Sequence, residues 1–151
     1  MNFIISTATD IGTTKATNQD SFNARVMTTP LGRMAFAVVC DGMGGLDKLA
    51  SASVVNAFCK WAEQRLPDLC ESGLTDSAVR ADWVGIATEY NEKIKLYGKR
   101  CGLASGLGTT VTAMLLTEQR YYIINVGDTR AYEIGDHVVL LTKDQTVVAR
   151  E

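Results

Sequence analysis

The chain has 151 residues, enough for one domain with a real core, because a chain of this length buries roughly 68–70% of the surface its unfolded form exposes. Its composition, 46% hydrophobic and 21% charged with 2 prolines, is that of a globular protein rather than a disordered or fibrous one. A formal net charge of −2, with no cluster of lysine or arginine, argues against nucleic acid as a partner.

The first residues carry no basic leader ahead of a short apolar run, and no apolar stretch approaches the ~18 residues that span a bilayer. A cytoplasmic protein without membrane association is therefore expected. In chain order, extended segments are predicted at 3–7, 21–28 and 33–40, with turn signals at 10–14 and 30–32. In the third segment the run Met-Ala-Phe-Ala-Val-Val-Cys is apolar throughout. Such a run fits a strand buried on both faces, and it delivers Asp41 and Gly42 at its carboxyl end.

Two helices follow. Over about 48–66, Ala50, Val54, Phe58, Trp61 and Arg65 recur at helical spacing, and Pro67 marks the expected end. The second helix puts Val79, Trp83, Ile86, Ala87, Tyr90, Ile94 and Tyr97 on one face, with Thr75 or Asp76 to cap its start and Gly98 to close it. From Gly108 onward the pattern returns to strands, predicted at 109–117, 120–126, 129–134 and 137–141. Strands, then helices, then strands is the order of an α+β fold with antiparallel sheets, not of an alternating parallel one. Cys40, Cys59, Cys70 and Cys101 form no Cys-x-x-Cys pair and are expected to be reduced thiols. The sole histidine, His137, supplies neither a triad nor a histidine metal site.

Five polar blocks sit where strands meet turns. They are Asp10-Ile-Gly-Thr-Thr-Lys15-Ala-Thr-Asn18-Gln19-Asp20, Asp41-Gly42-Met43-Gly44-Gly45, Gly108-Thr109-Thr110, Gly127-Asp128-Thr129-Arg130, and Leu141-Thr142-Lys143-Asp144. Each alone is an ordinary turn signature. In this order and spacing they resemble the type 2C, or PPM, family of metal-dependent serine/threonine protein phosphatases, in its bacterial pattern.

That resemblance implies a four-layer α-β-β-α sandwich of two antiparallel sheets with flanking helices, incomplete here. The chemistry it implies is hydrolysis of phosphoserine and phosphothreonine by water activated between two Mn²⁺ or Mg²⁺ ions. Hard divalent ions prefer oxygen ligands, so a site of carboxylates and a backbone carbonyl suits them where histidine and cysteine do not. By the resemblance Asp41 is the bridging carboxylate, Gly42 offers its carbonyl oxygen, Asp20 holds metal-bound water, and Asp128 matches a third, weaker metal position. Lys15 stands where the family has its phosphate-binding arginine, without that residue's bidentate fork. Gln19 replaces the usual glutamate, and Met43 replaces the histidine of eukaryotic members. Asn18, Arg130 and Asp144 are expected to serve architecture.

By the same resemblance, residues 1–151 are expected to form a single phosphatase-like domain lacking the C-terminal part of the family domain, where two further metal-binding aspartates lie. The expectation is weak or partial metal binding and impaired activity. The partners implied are a phosphorylated protein substrate and a serine/threonine kinase, with self-association through unpaired sheet edges. A non-catalytic module that binds a phosphoprotein or kinase is the alternative.

Overall fold

The computed structural model describes residues 1–103 and 106–146. Ser21–Thr29 (β1) and Gly32–Cys40 (β2) form an antiparallel hairpin whose register pairs Ser21 with Cys40 and Thr29 with Gly32. Val111–Leu116 (β5) pairs with the other side of β2, and Tyr121–Val126 (β6) pairs with β5, giving one antiparallel sheet in the order β1-β2-β5-β6. Between β2 and β5 lie the two-residue strand Gly42–Met43 (β3), paired with Gly108–Thr109 (β4), and all the described helices. Tyr132–Ile134 (β7) and Val138–Leu140 (β8) form a separate two-stranded ladder. The architecture is α+β with antiparallel sheets, as the blocked order of elements predicts.

The apolar run of β2 is buried on one face rather than two. Met34, Phe36, Val38 and Cys40 point under the helices and are buried, whereas Ala35 and Ala37 are half-buried and Val39 is exposed on the outer face. Small side chains at alternate positions make a run look uniformly apolar while only its large members build the core. Leu49–Lys60 (α1) and Asp76–Arg100 (α3) cover the inner face, with Phe58 and Trp83 6.0 Å apart and Trp61 and Trp83 edge-on at 5.2 Å. Trp61 donates its indole N–H to Asp82 Oδ2 at 3.0 Å, and Arg65 donates to the same oxygen at 3.1 Å, so the first helical segment is pinned to α3.

Pro67 does not end the first helical stretch. The chain passes through a π-helical turn, Trp61–Arg65, and restarts as Leu66–Glu71 (α2), with Pro67 at its first turn. The π-helical turn has already shifted the ladder there, Leu66 N donating to Trp61 O five residues back, so the missing N–H of Pro67 falls where the regular spacing is interrupted. Thr75 caps α3 as expected, its Oγ1 accepting from Ala78 N at 3.3 Å. Gly98 lies inside α3, against Leu107, and the helix closes later: Gly102 N donates to Lys99 O and Leu103 N to Gly98 O, both at 3.1 Å. That pair of bonds is the Schellman arrangement, centred one turn beyond the expected stop.

The segment 3–7 forms no strand. Its backbone has no ladder among the described residues, and Ile4 is 97% exposed. It lies instead along the outer face of the sheet, where Ile5, Phe22, Ala37, Met114 and Tyr132 line a cavity of about 590 Å³. Among the described residues the second layer of the sandwich thus amounts to the β7–β8 ladder and this segment. No described helix is long and apolar enough to cross a membrane.

Phe58 is fully buried at the centre of this helix–sheet interface. Phe58→Ala is expected to cost about 3–5 kcal/mol in denaturant unfolding, and a loss below about 1 kcal/mol would show that the aromatic cluster is not the core.

Candidate active site

The carboxyl end of β2, the start of β5 and the end of β6 meet at one rim of the sheet. There Asp41 is fixed by its backbone: its N–H donates to Thr110 Oγ1 at 2.9 Å, and its carbonyl accepts from Thr110 N at 2.9 Å and from Thr109 Oγ1 at 3.0 Å. Thr110 Oγ1 is also 2.6 Å from Thr129 Oγ1, which ties the turn after β6 to the same point. Gly127 tolerates no side chain there, since a Cβ would lie 2.6 Å from Thr110 Cγ2.

Because β1 pairs Ser21 with Cys40, the next pair along the register sets Asp20 beside Asp41. The loop that delivers Asp20 is held twice. Asp20 N donates to Asn18 Oδ1 at 3.0 Å and Asn18 Nδ2 to Thr9 Oγ1 at 2.8 Å, while Ser51 Oγ of α1 donates to Gln19 O at 2.5 Å. Gly42 is required by close approach, because a Cβ would stand 2.6 Å from Gln19 O.

The two carboxylates repel. The carboxyl of Asp41 is pushed above its usual range, first by partial burial and then by the negative charge of Asp20, with Lys15 pulling the other way. Lys15 Nζ lies 3.8 Å from Asp41 Oδ1, and both side chains are about half exposed. Asp128 lies on the same rim, between Gly127 and Thr129, but among the described residues no three acidic, histidine or cysteine side chains gather closely enough to hold a metal. Asp20 and Asp41 therefore stand as a pair with Lys15, and Asp128 is outside that pair. Arg130 and Asp144 form a two-bond ion pair at 2.9 and 2.7 Å that fastens the segment after β8 to the turn before β7.

The family model described as protein phosphatase 2C matches residues 12–151. The chain belongs to the protein phosphatase 2C family. It is 31% identical over 115 residues to the serine/threonine phosphatase stp of Listeria monocytogenes, covering 74% of this chain and 43% of that one. Its fold superposes on the serine/threonine phosphatase of S. agalactiae with a TM-score of 0.70 and 27% identity, over 95% of this chain and 56% of that chain. The PstP catalytic domain in complex with two manganese ions matches with a TM-score of 0.66 and 27% identity, over 92% of this chain and 54% of that one. The chain thus spans about half the length of the family members it matches.

Within this protein phosphatase 2C rim, the hydroxyls of Thr110 and Thr129, both within the polar blocks of the sequence, join β5 to the turn after β6. Ser51, fully buried on α1, straps the Asp20 loop down, and nothing local in the sequence announces it.

The raised Asp41 carboxyl has a stability consequence. A folded-state value above the unfolded one favours the protonated form, so its contribution is fully present at low pH and is lost as pH rises through the raised value. In chelator-treated protein, Asp20→Asn is expected to raise the melting temperature at pH 7, with the gain shrinking as pH falls through the acid range. Melts showing an equal loss at every pH would contradict this.

Proposed function

We propose that this rim is part of a divalent-metal-dependent site that hydrolyses phosphoserine and phosphothreonine in proteins, in the cytoplasm. The observation that carries it is the pairing of Asp20 and Asp41 at the carboxyl end of β2, with the Lys15 ammonium 3.8 Å from Asp41. Two like charges at close range are stable together when a cation lies between or beside them. The donor set consists of hard oxygens: the carboxylates of Asp20 and Asp41 and the carbonyl of Gly42. That set suits Mg²⁺ or Mn²⁺, which are held by one or two carboxylates with waters and phosphate oxygens completing the shell. Asp128, one turn away on the same rim, is assigned to an outlying, weaker ion.

When bound, such an ion activates water and neutralises charge on phosphoryl oxygens. Lys15 is placed to neutralise a phosphate next to the acid pair as a point charge. Cys40 is unsuited as a nucleophile, because burial pushes its thiol up to about 12. A cysteine needs its thiolate form near neutral pH to attack phosphorus. The partners that follow are a phosphorylated protein and the serine/threonine kinase that phosphorylates it. Self-association through an unpaired edge is supported at β1, whose outer side has no ladder among the described residues. No observation favours the non-catalytic module.

Titration calorimetry with Mn²⁺ is expected to show binding that Asp41→Asn abolishes and Asp20→Asn weakens at least about tenfold. With two converging acids among the described residues, hydrolysis of a phosphothreonine peptide by the 151-residue chain is expected to be slow. Undiminished Mn²⁺ binding by Asp41→Asn would refute the assignment.

A further inference from the structure

Among the described residues strand β6 is the last in its sheet, and its outer edge runs beside α3. Which of its backbone groups are open follows from the ladder. Thr117 N donates to Arg120 O at 2.9 Å across the β5–β6 turn, so the hydrogen-bonded pairs are those of Tyr122, Ile124 and Val126 with β5. The N–H and C=O groups of Tyr121, Ile123 and Asn125 therefore face outward. The carbonyl of Asn125 accepts from Gln145 Nε2 at 3.1 Å, which agrees with this parity and covers that end of the edge. Tyr121 and Ile123 remain without a ladder among the described residues.

Alongside this open edge lies a groove of about 600 Å³, walled by α3 and β6. Its floor is apolar: Val79 and Trp83, both 2% exposed, lie beneath it, and Ile124 of the strand packs against the core cluster to which they belong. The buried indole N–H of Trp83 has no acceptor among the described residues. Its rim is cationic. Arg120 pairs with Asp76 at 3.1 Å, but Arg80, also on the wall, forms no ion pair among the described residues. An open strand edge, an apolar trough beside it and a surplus guanidinium together specify one kind of occupant.

We propose that this groove receives an extended peptide of a partner protein, which adds to β6 as a fifth strand, sets alternate apolar side chains over Val79, Trp83 and Ile124, and places a carboxylate on Arg80. The backbone bonds run to Tyr121 and Ile123, and the guanidinium selects acidic segments over basic ones. The site is distinct from the Asp20–Asp41 rim and stands whether or not the phosphatase assignment holds.

The test uses the 151-residue chain and a capped heptapeptide alternating valine and threonine with an aspartate at each end, followed by calorimetry and tryptophan fluorescence. Saturable binding below about 1 mM is expected. Ile123→Pro removes an outward N–H without touching the β5 ladder, a substitution that edge strands tolerate, and it is expected to abolish binding. Arg80→Glu, on exposed helix surface, is expected to weaken binding at least about tenfold, and to weaken it less for a peptide with lysine in place of aspartate. Circular dichroism and melts confirm that each variant is folded. Absence of binding by the native chain, or binding that neither substitution changes, overturns the proposal. So does a concentration-dependent dimer that Ile123→Pro dissolves and the peptide does not compete with, since that assigns the edge to a second copy.

Discussion

The reciprocal hydrogen bonds between Asp41 and Thr110 are the constraint on which the site depends. One residue beyond the end of β2 and one before the start of β5, they carry the ladder of the sheet past its last regular pair. The acid is thereby held on rigid backbone instead of at a loop tip, which is what a site holding an ion at fixed geometry requires. Thr110 then reaches Thr129, so the strand that presents Asp41 and the turn that presents Asp128 share one hydroxyl junction. Loss of that junction would loosen both at once.

The rim balances repulsion with little apolar cover. Burial and the neighbouring Asp20 both act against the charge on Asp41, and only Lys15 acts for it. A lysine ammonium at 3.8 Å on half-exposed side chains is a weak and screened counterweight. The fold tolerates this arrangement because the surrounding bonds, from Ser51 to Gln19 and from Asn18 to Thr9, are made by neutral groups whose strength does not depend on the charge between the acids. Two carboxylates that repel each other beside a backbone carbonyl suit a cation, and the proposed metal site rests on that physical preference.

Much of this was legible in the residues. The strands at 21–28 and 33–40 were placed within a residue of β1 and β2, since the hairpin signal Pro-Leu-Gly and the apolar run are both local. Thr75 was recognisable as a cap because capping is a property of one side chain and the next turn. What could not be seen was set by distant partners. Pro67 reads as a stop, but a π-helical turn upstream makes it a first-turn residue. Gly98 reads as a helix end, yet its lack of a side chain serves Leu107, nine residues on. The segment 3–7 has the composition of a strand and no ladder among the described residues to complete it. At the site, the acids at strand ends stand out as types, whereas Ser51, an ordinary helix serine in sequence, acquires its role only when α1 crosses the loop before β1.

The central claim, that Asp20 and Asp41 hold a divalent cation at the end of β2, is tested most directly by paramagnetic broadening of backbone amide signals with substoichiometric Mn²⁺. The account predicts that the amides of Asp20, Asp41 and Gly42 broaden first, those of Asp128 and Thr129 at higher Mn²⁺, and those of Val79 to Val84 not at all. Broadening that begins elsewhere, or spreads evenly over the surface carboxylates, would contradict it.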